Sequence, residues 1–252
     1  MLTRRSWLAL GLGAYVAFAV SSIPASTVYK LFAPPDLRLA GLDGTVWSGG
    51  AALGSVGPLS LHDVRWDIAA LPLVTGRLSG RVEGRLADGF VETNVSATPS
   101  RVVLTGLSAS TSVPALGTLL PLKGVEGLVS VALEELRLQN GWPTKAVGKV
   151  RVAQLAVPPL MPGTAAGLIA LGDYEIVLKE GDGEGIAAEI HDAGGPLEVA
   201  GTLTLDPAGN YKLEGVAAAR RDAPEELVQG LKLMTGEPDS SGRRPFSLSG
   251  SL

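Results

Sequence analysis

Alternation with a period of two is the feature that most constrains this chain. Leu78, Val82 and Leu86 alternate with Arg77, Arg81, Glu83 and Arg85, and Gly80 and Gly84 fall on the apolar side. Successive side chains of a strand point to opposite faces, so this stretch has one wet face and one that needs cover. Ala87-Asp88-Gly89 carries turn chemistry, and Val91, Thr93 and Val95 begin a return strand, which predicts a hairpin.

The same pattern recurs along the chain. Gly44-Thr45-Val46-Trp47-Ser48-Gly49-Gly50 and Leu59 to Ile68, which contains Trp66, read as the opening two strands. Thr, Val and Trp suit a pleated, half-buried surface, and the glycines permit tight bends. In the second of these runs Leu59 and Leu61 occupy odd positions, whereas Val64, Trp66 and Ile68 occupy even ones. The phase flip at His62-Asp63 predicts a bulge. Val129, Val131 and Leu133 give way to Leu136 and Leu138 in the same manner, which predicts a second bulge at Glu134-Glu135. Two flips on long strands predict a strongly curved sheet. Pro114 to Pro121 is a short connection. Pro158-Pro159-Leu160-Met161-Pro162-Gly163 is the strongest break, after which Thr164 is placed to cap a short apolar helix through Leu171. Four strands follow, over Tyr174–Leu178, Gly185–Ile190, Leu197–Leu205 and Tyr211–Ala219, with turn residues between them. A short amphipathic helix is predicted from Asp222 as cap, with Pro224, Glu225 and Glu226 in its first turn and Leu227, Val228, Leu231 and Met234 as its apolar stripe. It should cover an edge or one mouth of the sheet. A polar loop from Gly236 leads to a last strand with Phe246 and Leu248.

Length and composition agree with one large β domain or two small ones. The chain has 252 residues, 46% of them hydrophobic and 18% charged, with net charge −4, and its 33 glycines and 17 prolines suit many turns. The acidic balance argues against a nucleic-acid partner, which needs a basic face. With no cysteine, disulfides, thiol catalysis and thiolate metal sites are excluded.

At the N-terminus, Arg4 and Arg5 precede an uncharged run of 17 residues, Trp7 to Ile23. As a helix it spans roughly 25 Å, at the short end for a ~30 Å hydrocarbon core. The arginines stay on the cytoplasmic side and the rest of the chain faces the other. A cleaved signal peptide is the alternative, because Ser21, Ser22 and Ala25 supply small residues near its end. The length of the run and the position of Pro24 favour an uncleaved anchor.

No catalytic constellation is legible. His62 and His191 each adjoin an aspartate, but neighbours on a strand point to opposite faces, so neither Asp63 nor Asp192 is an orienting partner by default. Ser48 lacks the nucleophile-elbow spacing. Asp182 and Glu184 lack the further oxygens of a calcium loop, and no phosphate loop or dinucleotide fingerprint opens a helix. Trp47 and Trp66 read first as core residues where the opening strands pair, and second as an aromatic docking patch. No catalytic, cofactor-binding or metal-binding residue is assigned.

The ordered set Leu42-Asp43-Gly44-Thr45-Val46-Trp47-Ser48-Gly49, Val64-Arg65-Trp66-Asp67 and Gly76-Arg77-Leu78-Ser79-Gly80 resembles the type II secretion system protein N family (general secretion pathway protein N). So do Gly127 to Ser130, Leu138 to Pro143, Asp192 to Leu197, Gly201-Thr202-Leu203 and Tyr211 to Gly215, and the likeness covers nearly the whole chain. The motif residues it brings, Gly44, Thr45, Trp47, Gly49, Trp66, Gly195, Pro196 and Gly201, read as structural. The resemblance implies a single-pass inner-membrane protein of Gram-negative bacteria, an accessory part of the machine that exports folded proteins across the outer membrane. Its partners would be other inner-membrane components of that apparatus. The expected organisation is a cytoplasmic N-terminus (1–6), a transmembrane anchor (7–23), a linker (24–36) and a periplasmic β domain (37–252), with a sub-boundary near 158–171. The domain is expected to be a curved, half-barrel antiparallel sheet. A second reading is a periplasmic lipid-binding groove of the AsmA-like, bridge-like kind.

Overall fold

The structure is a computed structural model and describes residues 15, 18–32, 37–56, 59–70, 76–117, 124–159, 167–181 and 185–251. Its strands are β1 (Leu37–Gly44), β2 (Ser48–Val56), β3 (Leu59–Ala69), β4 (Leu78–Leu86), β5 (Phe90–Thr98), β6 (Arg101–Ser112) and β7 (Glu126–Gln139). They continue as β8 (Trp142–Val157), β9 (Ile169–Glu180), β10 (Ile186–Gly194), β11 (Leu197–Leu205), β12 (Asn210–Ala219) and β13 (Arg244–Ser251). All thirteen lie in one sheet in chain order, and every described pairing is antiparallel. Among the described residues, helices α1 (Ala25–Phe32) and α2 (Glu225–Met234) flank it, and Pro114–Leu116 forms a 3-10 turn.

Register converts the alternation into two faces. Leu107 pairs with Leu133, and the lane continues through Gly148, Leu178, Ala188, Leu203 and Leu213 to Leu248. One apolar lane thus crosses eight strands, β6 to β13. The opposite face carries cross-strand ion pairs: Arg81 with Glu92 at 3.1 Å, Arg151 and Lys149 with Glu175 at 2.8 and 3.0 Å, and Lys179 with Glu189 at 2.6 Å. These pairs are exposed on the cationic side and partly exposed at Glu175, so each contributes little stability, but they keep that face wet. No second sheet covers the apolar face among the described residues, and no large side chain there is fully buried.

Both predicted bulges are present. Asp63 has φ +48° and the register to β4 slips between His62 and Arg65; against β8 it slips between Leu133 and Glu135. The extra residue at each point turns the following side chains over, so the apolar set stays on one face. A third irregularity, at Gln154 (φ +53°), carries the same signal, since Val150 and Val152 are even and Leu155 is odd. The hairpin at Ala87-Asp88-Gly89 is also present, with Leu86 and Gly89 exchanging both backbone hydrogen bonds (2.8 and 3.2 Å).

Several expectations require correction. Thr45-Val46-Trp47 is not a strand but the turn between β1 and β2, and Leu37–Gly44 is the first strand. Gly44 (φ +75°) ends β1 in a conformation that directs the chain back on itself. The stretch 24–36, expected as a linker, contains α1. The preceding helical residues stop at Ser21, ahead of Pro24, and Pro24 opens the next helix, its carbonyl accepting from Thr27 and Val28. Ile169–Leu171, expected within a helix, begins β9, because pairing with β8 supplies its backbone partners; Thr164 lies outside the described residues. The break at 158–171 separates two paired strands and does not divide the sheet. Asp222 does not cap α2: Pro224 is the N-cap and no side chain caps it.

The predicted anchor, 7–23, lies largely outside the described residues. Tyr15 and Phe18 to Ser21 are helical, and no helix among the described residues is long and apolar enough to cross a membrane.

Candidate functional site

The motif residues gather at two places where flanking segments are tied to the sheet. The first is the β1–β2 turn. Thr45 N–H donates to the Ser48 carbonyl at 2.9 Å, and Ser48 N–H donates to the Thr45 hydroxyl at 3.2 Å. The Trp66 indole N–H, from β3, reaches back to the carbonyls of Thr45 and Val46 at 3.3 and 3.1 Å. Its ring lies across Gly49, where a Cβ would stand 2.8 Å from Trp66 Cζ2 and 2.6 Å from the Asp43 carbonyl oxygen. Trp47 turns the other way, and its indole N–H donates to the Val20 carbonyl at 2.8 Å. Val46 N–H donates to Ile23 at 3.0 Å, and Pro24 forms an isolated bridge with Thr45. The two tryptophans therefore do not meet as a core pair. One braces the turn, and the other ties it to the end of the apolar N-terminal run.

The second place is the β10–β11 turn. A Cβ on Gly195 would stand 2.7 Å from Gly172 Cα, so two glycines let the turn pack on β9. The Pro196 carbonyl accepts from Arg220 N–H at 2.8 Å, and the Gly195 carbonyl accepts from the Arg220 guanidinium at 2.5 Å. Arg220 also pairs with Asp192, which accepts from Val199 N–H at 2.9 Å. Burial pushes the Asp192 carboxyl up, but Val199 N–H and Arg220 outweigh it and hold the group below its ordinary value. Nearby, Leu227 of α2 packs on Ile169 and Leu197, with Val157, Leu171, Val199, Ala219 and Leu231 around them. The helix thus closes one end of the sheet over β8 to β12. Gly201 lies on the apolar face beside Gly215, where the Phe246 ring crosses both glycines.

The partners Arg220 and Phe246 carried no signal as such; Arg220 lies 28 residues from the aspartate it pairs with.

Among the described residues, reactive groups do not converge. Asp63 pairs with Arg85 rather than His62, and Asp192 with Arg220 rather than His191, which lies 3.7 Å from Glu189. Arg151 and then Lys149 hold the Glu175 carboxyl below its ordinary value. No group of three or more His, Cys, Asp or Glu able to hold a metal occurs among the described residues, and Asp182 and Glu184 lie outside them. An open depression of about 620 Å³ is floored by Gly49 and Gly50 and ringed by Asp43, Arg65, Asp67 and Glu83. Its lining carries both signs, Arg65 and Arg81 among Asp43, Asp63, Asp67 and Glu83, which suits a protein contact better than a single ionic ligand.

The sheet's first edge is partly covered by the chain itself. The Tyr29 hydroxyl, on α1, accepts from Leu39 N–H at 3.0 Å and donates to the Leu37 carbonyl at 3.1 Å, which occupies two outward backbone groups at the start of β1.

Comparison with known proteins agrees with the residues. The family model described as "Type II secretion system (T2SS), protein N" matches residues 35–247. Type II secretion system protein N of Aeromonas hydrophila is 28% identical over 253 residues, covering 97% of each chain. The protein of the same name from Vibrio cholerae is 26% identical over 231 residues, covering 87% of this chain and 86% of its own. That from Pectobacterium carotovorum is 23% identical over 252 residues, covering 95% and 94%. No solved structure matches. With the family pattern running from the residues before β1 into β13, the chain belongs to the type II secretion system protein N family.

Proposed function

We propose that this chain is a non-enzymatic accessory component of the type II secretion apparatus, held in the inner membrane by a helix over residues 7–23. Residues 37–252 then form a periplasmic domain that docks other inner-membrane components. The family match over 35–247 carries this reading. Three features support the finer parts. The β1–β2 turn is tied through Trp47 to Val20, near the end of the apolar run, and through Thr45 to Pro24 just after it, so an anchor there would position the sheet rigidly. Titratable side chains on the charged face are paired with one another, leaving that face suited to contact rather than reaction. The slips at Asp63, Glu134-Glu135 and Gln154 bend the strands, and we read the sheet as a curved half-barrel. In that reading seven of the motif residues act as the staples of the two anchored turns, and Gly201 makes room for the Phe246 ring within the sheet. The test is deletion and complementation in the host: loss of a secreted enzyme from the medium, restored by the full chain, is expected. Unchanged secretion after deletion refutes the reading.

The apolar lane favours a second reading, a groove for lipid acyl chains, because no large side chain on that face is fully buried among the described residues. Native mass spectrometry of residues 37–252 should then reveal lipid-mass adducts that Leu203→Asp removes. A bare polypeptide mass ends this reading.

A further inference from the structure

The sheet has two edges, and they are treated differently. On β1 the Tyr29 hydroxyl takes two outward groups, the Leu37 carbonyl and the Leu39 N–H, and Arg38 and Asp43 add charges. On β13 the direction of the free groups follows from one hydrogen bond. The Pro245 carbonyl faces away from β12, since Gly236 N–H donates to it at 2.9 Å. In an antiparallel strand both backbone groups of a residue point to the same side, and the side alternates. The N–H and C=O of Ser247, Ser249 and Ser251 therefore share the outer side with Pro245. None of these groups has a hydrogen-bond partner among the described residues. The Gly236–Arg243 loop occupies only the first residues of this edge, through Gly236 to Pro245 and Asp239 to Arg243.

The remaining stretch, Phe246-Ser247-Leu248-Ser249-Gly250-Ser251, contains no charge and no proline. Those are the usual devices that keep an edge from pairing. Phe246 and Leu248 lie on the apolar face, in register with Gly215 and Leu213, and Leu248 is 56% exposed. The serines lie on the other face and are small enough for close approach. Beside the far end of the strand, Tyr211, Ser249, Gly250 and Ser251 border an open depression of about 840 Å³.

We infer that β13, over Phe246–Ser251, is the docking edge of this domain, and that it accepts an extended, uncharged segment of another apparatus component as a fourteenth strand. This rests on the function proposed above. The incoming strand carries apolar side chains at alternate positions beside Phe246 and Leu248, continuing the apolar lane. A second copy of this chain fits less well. Six residues give about 20 Å of edge, and at a sheet thickness of ~10 Å two rigid edges would cover ~200 Å² per copy. A stable interface needs about 800 Å² per partner. A flexible segment also fills the depression at the end of the strand and is not held to edge-on contact.

The test uses the full chain in host cells. A photo-crosslinking p-benzoylphenylalanine replaces Ser247, with Thr202, on the same face in mid-sheet, as control. Ser249→Pro deletes one outward N–H and no bond to β12. Ser247→Lys with Ser251→Lys leaves every backbone group in place but charges the edge, and serves if the proline variant does not fold. The expected result is an adduct between this chain and an apparatus component, absent at Thr202, absent when the other apparatus genes are removed, and at least tenfold weaker in Ser249→Pro. An adduct of twice the chain's mass, equal yield at Thr202, or yield unaffected by both edge changes overturns the assignment. If wild-type chain restores secretion to the deletion strain and both edge variants do so equally, only the docking edge falls. If deletion never affected secretion, the function proposed above falls with it.

Discussion

Gly49→Ala probes the tightest point of the β1–β2 turn. The added Cβ would meet the Asp43 carbonyl oxygen at 2.6 Å, the Thr45 carbonyl oxygen at 2.8 Å and Trp66 Cζ2 at 2.8 Å. Ordinary contact begins near 3.4 Å, so each neighbour must retreat by more than half an ångström. Two of the three are backbone, and the Thr45 carbonyl also accepts from the Trp66 indole, so a shift there loosens that bond as well. Overpacking of this kind costs typically 1–3 kcal/mol. For a chain of this size that corresponds to a drop of about 2–12 °C in melting temperature, at ~2–4 °C per kcal/mol. Gly167→Ala is the matched control, because nothing lies within 4 Å of its Cβ, and it should change stability by less than about 0.5 kcal/mol. Thermal unfolding of the full chain followed by circular dichroism measures both. Adding Trp66→Leu to Gly49→Ala should restore little, since the backbone contacts remain. A melting temperature for Gly49→Ala equal to that of Gly167→Ala, or full rescue by Trp66→Leu, would refute the close approach of β1, β2 and the indole.

Tyr29→Phe removes the hydroxyl that occupies the outward groups of Leu37 and Leu39, costing about 1–3 kcal/mol and opening the β1 edge; concentration-dependent light scattering should rise above wild type. Leu227→Ala, at 5% exposure in the α2 cluster, should cost about 2–3 kcal/mol by denaturant unfolding, the low end for a buried leucine because the site borders solvent and can collapse. Asp192 has a folded pKa below its ordinary 3.8, so its contribution is fully present above that value and is lost as pH falls through the folded value. Asp192→Asn should therefore be less stable than wild type at neutral pH, and the difference should shrink on acidification below 3.8; a gap that stays constant in an acid titration would remove Asp192 as its source.

Much of this fold was legible along the chain because a strand's two faces are a local property. The alternation around Arg81, the flips at His62-Asp63 and Glu134-Glu135 and the turn at Asp88 each involve residues a few positions apart, and each is in the structure. The apolar stripe of α2 was legible for the same reason. What local pattern could not supply is the choice among competing partners. Trp47 has strand propensity, yet it sits in a turn because its indole N–H finds Val20 there. Ile169–Leu171 reads equally as helix or strand, and the ladder to β8 decides. Asp192 adjoins His191 in sequence but pairs with Arg220, because β10 and β12 end on the same side of the sheet. The inequality of the two edges is likewise tertiary: β1 and β13 are both eight-residue strands, and only the packing of α1 places a tyrosine hydroxyl against one of them. Period and turn chemistry set which way each side chain points, whereas long-range hydrogen bonds determine what it meets.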